Sequence, residues 1–267
     1  MKILINIALF LTFIFGFGQN QYSEIKYYFK INNGGSPVIL DCALLYNEND
    51  NKSTFINFGF NSIPEEQKTE IDDINGDLLV NVEKYDDNNG QKPEYQKFFL
   101  KDSLVSHESV YGEKKYHVIL EKLPTLRWEI LNDTLNILNF KTQKAKVNFR
   151  GRDYFAWFST EIKISDGPYK FYGLPGLILK IQSTDSKYTF EVYSVKLNIS
   201  EKHFSITNLK EKYPNKKIIS INDKVNLIKK NTEKERKFRL SNNPNATEIK
   251  IEHSGIELNY EDVINGN

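Results

Sequence analysis

Short stretches of alternating apolar and polar residues follow one another along most of the chain. In the first stretch Ile25, Tyr27, Phe29 and Ile31 recur at every second position, which places them on one face of a β-strand. Residues 32–35, Asn-Asn-Gly-Gly, then turn the chain. A long series of such strands, with a turn after about ten residues each time, predicts an antiparallel sheet that is closed or strongly curved.

The other predicted strands share this alternation or an apolar centre. They lie at Val38–Tyr46, Thr54–Phe60, Leu78–Tyr85, Tyr95–Lys101, Ser103–Val110, Lys115–Glu121, Leu126–Leu131, Leu135–Phe140, Ala145–Arg150, Tyr154–Ile162, Leu177–Gln182 and Tyr188–Lys196. Residues 155–158, Phe-Ala-Trp-Phe, are apolar at consecutive positions, which predicts a central strand covered on both faces.

The period changes near the C terminus. Asn222 is predicted to cap a helix over Asp223–Arg239 that turns Val225, Ile228 and Phe238 inward. The predicted fold class is therefore mainly β (α+β), with a curved or partly closed antiparallel sheet and one C-terminal amphipathic helix.

The segment Asp166–Leu179 constrains its own backbone more closely than any other. Residues 167–168, Gly-Pro, form a turn dipeptide. Pro175 fixes φ, and Gly176 is predicted to supply the positive φ of a type II turn.

We predict that this segment is a rigid structural corner, which sets the register of a hairpin between residues 177–182 and 188–196. The alternative interpretation is that the segment is a ligand-facing loop. Leu177, Leu179 and Ile181 are predicted on one strand face, and Ile178, Lys180 and Gln182 on the other. The residues assigned to the corner are Gly167, Pro168, Gly173, Leu174, Pro175, Gly176, Leu177 and Ile178.

Residues 173–178 read Gly-Leu-Pro-Gly-Leu-Ile, and the chain resembles the GLPGLI family of exported Bacteroidota proteins, which this hexapeptide names. Further landmarks in the usual order are Arg127–Ile130, Gln143–Ala145, Phe149–Arg152, Ala156–Phe158 and Asp166–Pro168. One departure is Thr142, where many members carry a cysteine. The resemblance implies export and a location in the cell envelope. It implies no reaction, because the family has no established activity.

Residues 1–18 have the form of a secretory signal. Lys2 is followed by an apolar run over Ile3–Phe15, and small residues precede a cleavage site before Gln19. The alternative to a cleaved signal is a membrane anchor, but the apolar run is short for one. No later segment is predicted to cross a membrane. We expect one β-rich domain over residues 19–240, then a short strand and flexible tail over residues 241–267. The predicted location is periplasmic, outer-membrane associated or secreted.

Composition excludes some functions. The chain carries 36 Lys and Arg against 35 Asp and Glu, a net charge of +1, which argues against a nucleic-acid partner. Cys42 is the only cysteine and lies in an apolar strand, so it is predicted to be a buried, inert thiol.

No motif predicts a metal or a cofactor. Residues 72–77 resemble a calcium loop, but Ile71 and Val82 would occupy two ligand positions. His107 and His117 could face each other across a hairpin, but no third ligand is indicated, and surface histidines are expected instead.

A polar cluster flanks the most apolar strand. Its members are Arg150, Arg152, Asp153, Glu161 and Asp166. Arg150 and Arg152 would share a face of a regular strand. The cluster fits an ion-pair network that braces a loop, a patch that binds a carboxylate or a sugar, or a hydrolase site with Asp153 or Glu161 as general base.

Two functions therefore remain open. The first is a non-catalytic envelope domain that binds an outer-membrane protein, a peptide or an apolar ligand. The second is a hydrolase with an unrecognised site around Arg152, Asp153, Glu161 and Asp166. An exposed aromatic patch would favour binding, and a cleft with converging carboxylates would favour hydrolysis.

Two possible O-glycosylation sites follow from the family resemblance. Exported proteins of this phylum often carry glycans at Asp followed by Ser or Thr and a small or apolar residue. Ser103 in Asp-Ser-Leu and Thr134 in Asp-Thr-Leu fit that rule. Both are predicted at joints between a loop and a strand, where a glycan can stand in water.

Overall fold

The computed structural model describes residues 21–59, 92–200, 207–243, 255–258 and 260. Four sequence predictions lie outside these residues. They are the signal sequence over 1–18, the calcium-like residues 72–77, the strand over 78–85 and the short strand over 248–252.

Twelve strands and two α-helices make up the described part of the chain. The strands are β1 Gln21–Ile31, β2 Val38–Asn47, β3 Lys52–Gly59, β4 Glu94–Phe98, β5 Ser103–Ser109, β6 Tyr116–Lys122, β7 Glu129–Ile137, β8 Phe140–Phe149, β9 Arg152–Ser159, β10 Leu177–Ser183, β11 Tyr188–Ser200 and β12 Ile218–Ser220. The helices are α1 Leu209–Lys212 and α2 Ile221–Ser241, and a 3₁₀ turn occupies Phe99–Lys101.

All twelve described strands belong to one sheet, in the order β12-β6-β5-β4-β3-β2-β1-β11-β10-β9-β8-β7. Neighbours run antiparallel except β12, which pairs with β6 in parallel. The sheet is not closed. This confirms the predicted fold class, including the single long helix and the hairpin of β10 with β11.

Contacts across the sheet show how strongly it curves. Tyr169 packs against Tyr95 of β4, with ring centroids 4.6 Å apart, and against Phe149 of β8, at 6.4 Å. These strands are seven positions apart in the sheet order, or roughly 34 Å if the sheet were flat. The sheet therefore wraps around Tyr169, and we call the wrapped side the inner face.

The inner face holds the main core. Ile25, Tyr27 and Phe29 of β1 lie in it, as the alternation predicts. The connection from β9 to β10 crosses this face and fills it, and Phe171 in that connection is 0% exposed. The Tyr27 hydroxyl donates to the carbonyl of Ile178 at 2.8 Å. Leu174, Leu177 and Ile178 of the sequence Gly-Leu-Pro-Gly-Leu-Ile are thus part of the core, whereas Gly173 and Pro175 are exposed.

The turn at Pro175 differs from the predicted type II turn. The N–H of Gly176 donates to the carbonyl of Leu174 at 2.8 Å, which closes a three-residue γ-turn around Pro175. The N–H of Leu177 donates instead to Ile162, at 3.2 Å. A glycine is needed at 176 for a steric reason, because a Cβ there would lie 2.6 Å from the carbonyl carbon of Ser159.

The predicted division of faces in β10 is wrong at its start. A register shift between Ile178 and Lys180 inserts a bulge at Leu179. As a result Leu177, Ile178 and Leu179 are all buried, and strict alternation begins only at Lys180.

Parts of the two strands predicted over 126–131 and 135–140 form one strand, β7, and Phe140 opens β8. The polar residues between the two predicted strands do not form a loop but a bulge between Ile130 and Thr134 opposite β8. Thr134 therefore lies inside an exposed edge strand, whereas Ser103 begins β5 as predicted.

Helix α2 is confirmed, with different ends. Its N-cap is Ser220, not Asn222, because Ser220 and Asp223 form a reciprocal capping box. Val225 is buried as predicted, but Phe238 is 65% exposed. The helix also buries Lys224, which the sequence did not single out.

Candidate functional site

The predicted polar cluster is divided among several partners. Arg150 and Gly151 have φ values of +47° and +82° and form the two-residue turn between β8 and β9. Arg150 therefore does not share a strand face with Arg152, and that prediction is wrong. Arg152 opens β9 and pairs with Asp185.

Asp153 and Glu161 lie at the surface, each with its own partner. Asp153 accepts a hydrogen bond from the Asn148 amide at 2.7 Å, and this bond lowers the pKa of the Asp153 carboxyl. Glu161 accepts from the backbone N–H of Lys141 at 3.0 Å. The structure does not bring these two carboxylates together with Asp166.

Asp166 forms a buried ion pair with Lys97 of β4, and both side chains are 0% exposed. Lys97 Nζ also donates to the carbonyls of Gly167 at 2.8 Å and Phe171 at 3.3 Å. Burial raises the pKa of Asp166 and lowers that of Lys97. The pair ties the segment before β10 to the opposite half of the sheet.

A second set of buried charges, the buried charge cluster, lies between the inner face, helix α2 and the C-terminal residues. Its six members come from six different parts of the chain, and they are Glu108, Glu121, Arg150, Lys170, Lys224 and Glu257. Lys170 Nζ lies 2.7 Å from Glu121, 2.8 Å from Glu257 and 3.5 Å from Glu108. Arg150 pairs with Glu121 and, at 2.8 Å, with Glu257.

The buried charge cluster is balanced, with three cations and three carboxylates. Burial disfavours the charged forms of Lys170, Lys224 and Glu257, but the opposite charges around them outweigh this effect. They raise the pKa of Lys170 and Lys224 and hold the pKa of Glu257 well below its usual value. The sequence indicated only Arg150 of this cluster, because its members are distant along the chain and no local pattern marks them.

The two histidines of the β5–β6 hairpin lie on opposite faces. His107 pairs in register with Val118, and His117 pairs with Glu108, so the two do not face each other. His107 is also not a surface residue, because it is fully buried and stacks on Tyr213 with ring centroids 3.9 Å apart. Burial lowers the pKa of His107 to about 4.

A cavity of about 390 Å³ opens between strands β3 and β4 and helix α1. Lys52, Thr54, Phe98 and Glu211 contribute to its wall. The Thr54 hydroxyl is buried there, and no hydrogen-bond partner is found for it among the described residues. Glu211 is the one carboxylate among the described residues of this wall, so these residues do not supply the converging pair that would favour a hydrolase.

The outer face of strands β8, β9 and β10 carries what we call the outer patch: Lys144, Lys146, Phe155, Trp157 and Lys180. Lys144 and Lys180 both lie opposite Trp157 in the sheet register, and Lys146 lies opposite Phe155. Lys144 Nζ is 4.4 Å from the centroid of Phe155 and 5.6 Å from that of Trp157. All five side chains are partly exposed. The predicted full coverage of this strand on both faces is therefore wrong.

Three further observations concern metal binding, thiol reactivity and membrane insertion. Among the described residues, no group of His, Cys, Asp and Glu side chains is placed to hold a metal ion. Cys42 is buried as predicted, and burial raises the pKa of its thiol. No described helix is both long enough and apolar enough to cross a membrane.

Comparison with known proteins gives one family match. Residues 150–180 match the model of a protein family of unknown function, Porph_ging. This match covers the β8–β9 turn, β9 and the segment that fills the inner face. No curated protein matches the chain.

Among the solved structures that match the chain, three are similar to it at low identity. PNGF-II in a C2 crystal form has a TM-score of 0.48 and 15% identity, over 79% of this chain and 33% of PNGF-II. PNGF-II in a P21 form gives 0.47 and 14%, over 79% and 34%. A putative outer membrane lipoprotein-sorting protein domain from Vibrio parahaemolyticus gives 0.25 and 7%, over 73% and 90%. The chain spans about a third of the length of PNGF-II.

Proposed function

We propose that the protein is an exported domain of the cell envelope that binds a protein partner and does not catalyse a reaction. The outer patch carries this proposal. Its rings lie within cation–π distance of the Lys144 and Lys180 ammonium groups, so it offers apolar area with a polar border. Aromatic side chains in such a setting are enriched at protein interfaces.

A protein partner fits the structure better than an apolar ligand does. An apolar ligand needs a concave apolar site, but the inner face of the sheet is filled by the chain's own residues 162–176. The outer patch is a sheet surface. It continues toward Tyr28 and Tyr193, which stack with ring centroids 4.2 Å apart, so a partner could contact several strands at once.

Hydrolysis is the second hypothesis, and no specific observation favours it. Asp153, Glu161 and Asp166 each engage a different partner within the chain. A general base needs to lie within hydrogen-bond reach of a substrate, and Asp166 is fully enclosed by protein.

Export is supported by the signal-like residues 1–18 and by the resemblance to the GLPGLI family of Bacteroidota. We propose that the mature chain begins near Gln19 and forms one β-rich domain to about residue 240. Mass spectrometry of the N-terminal peptide of the protein recovered from cell fractions tests this. An intact Met1 on a cytoplasmic species would contradict export.

Glycans at Ser103 and Thr134 belong to the same proposal. The native exported protein should have a mass above that of the bare chain from Gln19. The excess should fall in Ser103→Ala and Thr134→Ala. A native mass equal to that of the bare chain would contradict glycosylation.

The binding proposal is tested by comparative capture. Immobilised mature protein is incubated with envelope extract, and captured proteins are identified by mass spectrometry. We expect at least one protein that the wild type captures and that a Phe155→Ala, Trp157→Ala double variant loses. Leu120→Ala removes an exposed apolar side chain elsewhere on the sheet and should leave that capture unchanged. Identical capture by the double variant and the wild type would refute a role for the outer patch.

A further inference from the structure

Glu257 is held in the way that a protein holds a bound carboxylate ligand. One oxygen accepts from the Tyr169 hydroxyl at 2.5 Å and lies 2.8 Å from Lys170 Nζ. The other accepts from Arg150 at 2.8 Å and lies 3.7 Å from Lys224 Nζ. Charge-assisted donors on both oxygens are the usual means of recognising a carboxylate.

Without Glu257 the remaining cluster lacks one negative charge. Arg150, Lys170 and Lys224 carry three positive charges, and Glu108 and Glu121 carry two negative ones, which leaves a net charge of +1 in a buried site. An uncompensated buried charge is costly. The site therefore favours the entry of one carboxylate.

Glu257 also differs from four of the other five members in how its backbone is held, whereas Lys170, like Glu257, lies in no strand or helix. Glu108 and Glu121 lie in strands, Lys224 in helix α2, and Arg150 in a tight hairpin turn. Residues 255–258 belong to no described strand or helix. Two hydrogen bonds join their backbone to the sheet, from the N–H of Leu258 to Arg150 at 2.9 Å and from the Tyr154 hydroxyl to Ile256 at 2.7 Å.

Displacement of this segment breaks these two backbone hydrogen bonds and the contacts of the Glu257 side chain with Tyr169 and Arg150, and such local opening can cost less than global unfolding. The cations beneath it are fixed by the sheet, the helix and the segment before β10, so they stay in place when it leaves. The sequence predicted a flexible tail from residue 241. In the structure, however, Glu257 is buried in the core.

We propose that Arg150, Lys170, Lys224 and Tyr169 form a carboxylate-binding site, and that Glu257 of the same chain is its occupant in this structure. An acidic side chain of another protein or a small carboxylate could take the same place when the segment around residue 257 is displaced. The site lies on the inner side of the sheet, so the proposal does not depend on the outer patch.

Chemical rescue tests the site in the full mature chain. Glu257→Ala removes the carboxylate and should lower the melting temperature. Sodium acetate, compared with sodium chloride at equal ionic strength, should then raise the melting temperature of this variant in a saturable way. The wild type should show no such rise, because its site is filled. A capped Ile-Glu-Leu tripeptide, with the sequence of residues 256–258, serves as the second probe.

The two probes separate the possible sources of the ligand. Rescue by acetate alone indicates a small carboxylate, and stronger rescue by the tripeptide indicates an acidic segment of a protein. Failure of both probes, or an equal effect of acetate on Glu257→Ala and on the wild type, would overturn the proposal. Glu233→Ala is the control for general salt effects, because it also removes ion pairs but at a surface side chain.

A double-mutant cycle covers the case in which Glu257→Ala does not fold. Glu257→Gln keeps the volume and removes the charge, and Lys224→Met removes one of the facing cations. We expect the second substitution to relieve part of the loss caused by the first, since the pair restores neutrality. Strictly additive effects of the two substitutions would overturn the proposal.

Discussion

Replacement of Gly176 by alanine tests whether the Gly-Leu-Pro-Gly-Leu-Ile sequence is required by the packing of the core. A Cβ at this position would lie 2.6 Å from the carbonyl carbon of Ser159 and 3.0 Å from the Cα of Thr160. Both neighbours are backbone, so no side-chain rotation can relieve the clash. The ends of β9 and β10 would have to separate.

The expected loss in free energy of unfolding follows from the contacts that this separation of β9 and β10 disrupts. Ser159 pairs with Leu177 where the two strands meet, and Leu177 is fully buried. Overpacking of a core costs about 1–3 kcal/mol, and each ladder hydrogen bond lost adds about 1 kcal/mol. With one such bond lost, we expect a loss of about 2–4 kcal/mol. At about 2–4 °C per kcal/mol for a domain of this size, the melting temperature should fall by roughly 4–16 °C.

Two other glycines provide matched controls. Gly173 has a φ of +91°, and a Cβ there would meet only Trp128, at 3.8 Å. Gly173→Ala should therefore lose about 1 kcal/mol, from backbone strain alone. Gly35 has no atom within 4 Å of its Cβ position, so Gly35→Ala should change little. Thermal and urea unfolding of the mature variants measure all three, and a Gly176→Ala stability equal to that of Gly35→Ala would refute the argument.

Three further predictions concern buried charges and export. Lys97→Met leaves Asp166 as an uncompensated buried acid and should cost about 3–5 kcal/mol in urea unfolding; an added Asp166→Leu should recover much of this loss, and no recovery would refute the pairing. His107 has its pKa lowered from 6.5 to about 4 by burial, so the unfolded chain binds this proton at a higher pH than the folded one, and stability falls as the pH drops from about 6.5 to about 4. His107→Gln should flatten this fall, as measured by urea midpoints across that range; equal slopes in His107→Gln and the wild type would exclude His107 as the cause. The exported protein should start near Gln19 in N-terminal sequencing, and a start at Met1 would contradict cleavage.

The alternation of residues was sufficient to predict the sheet. Ile25, Tyr27 and Phe29 identified the inner face, and the structure confirms that face. The prediction succeeded because a strand buried on one side has apolar residues at every second position of its sequence. The same rule failed at Leu179, where a bulge changes the register. A bulge depends on the partner strand, which the sequence does not specify locally.

The candidate site was less accessible to sequence reasoning. Arg150 and Asp166 were singled out as charges beside an apolar strand, and both proved to be buried in ion pairs. Their partners Lys97, Glu121 and Glu257 were missed, since a charged side chain usually indicates the surface. Only the folded topology shows that these distant residues meet.

Hydrogen exchange over residues 162–179 tests most directly whether the segment before β10 is part of the core. The N–H groups of Phe171, Gly173 and Ile178 all donate to backbone carbonyls inside the fold. We predict that these amides exchange as slowly as those of β10 and β11 in the mature protein, because release requires the inner face to open. Exchange as fast as in the exposed turn at residues 184–186 would contradict a core role and would favour a ligand-facing loop.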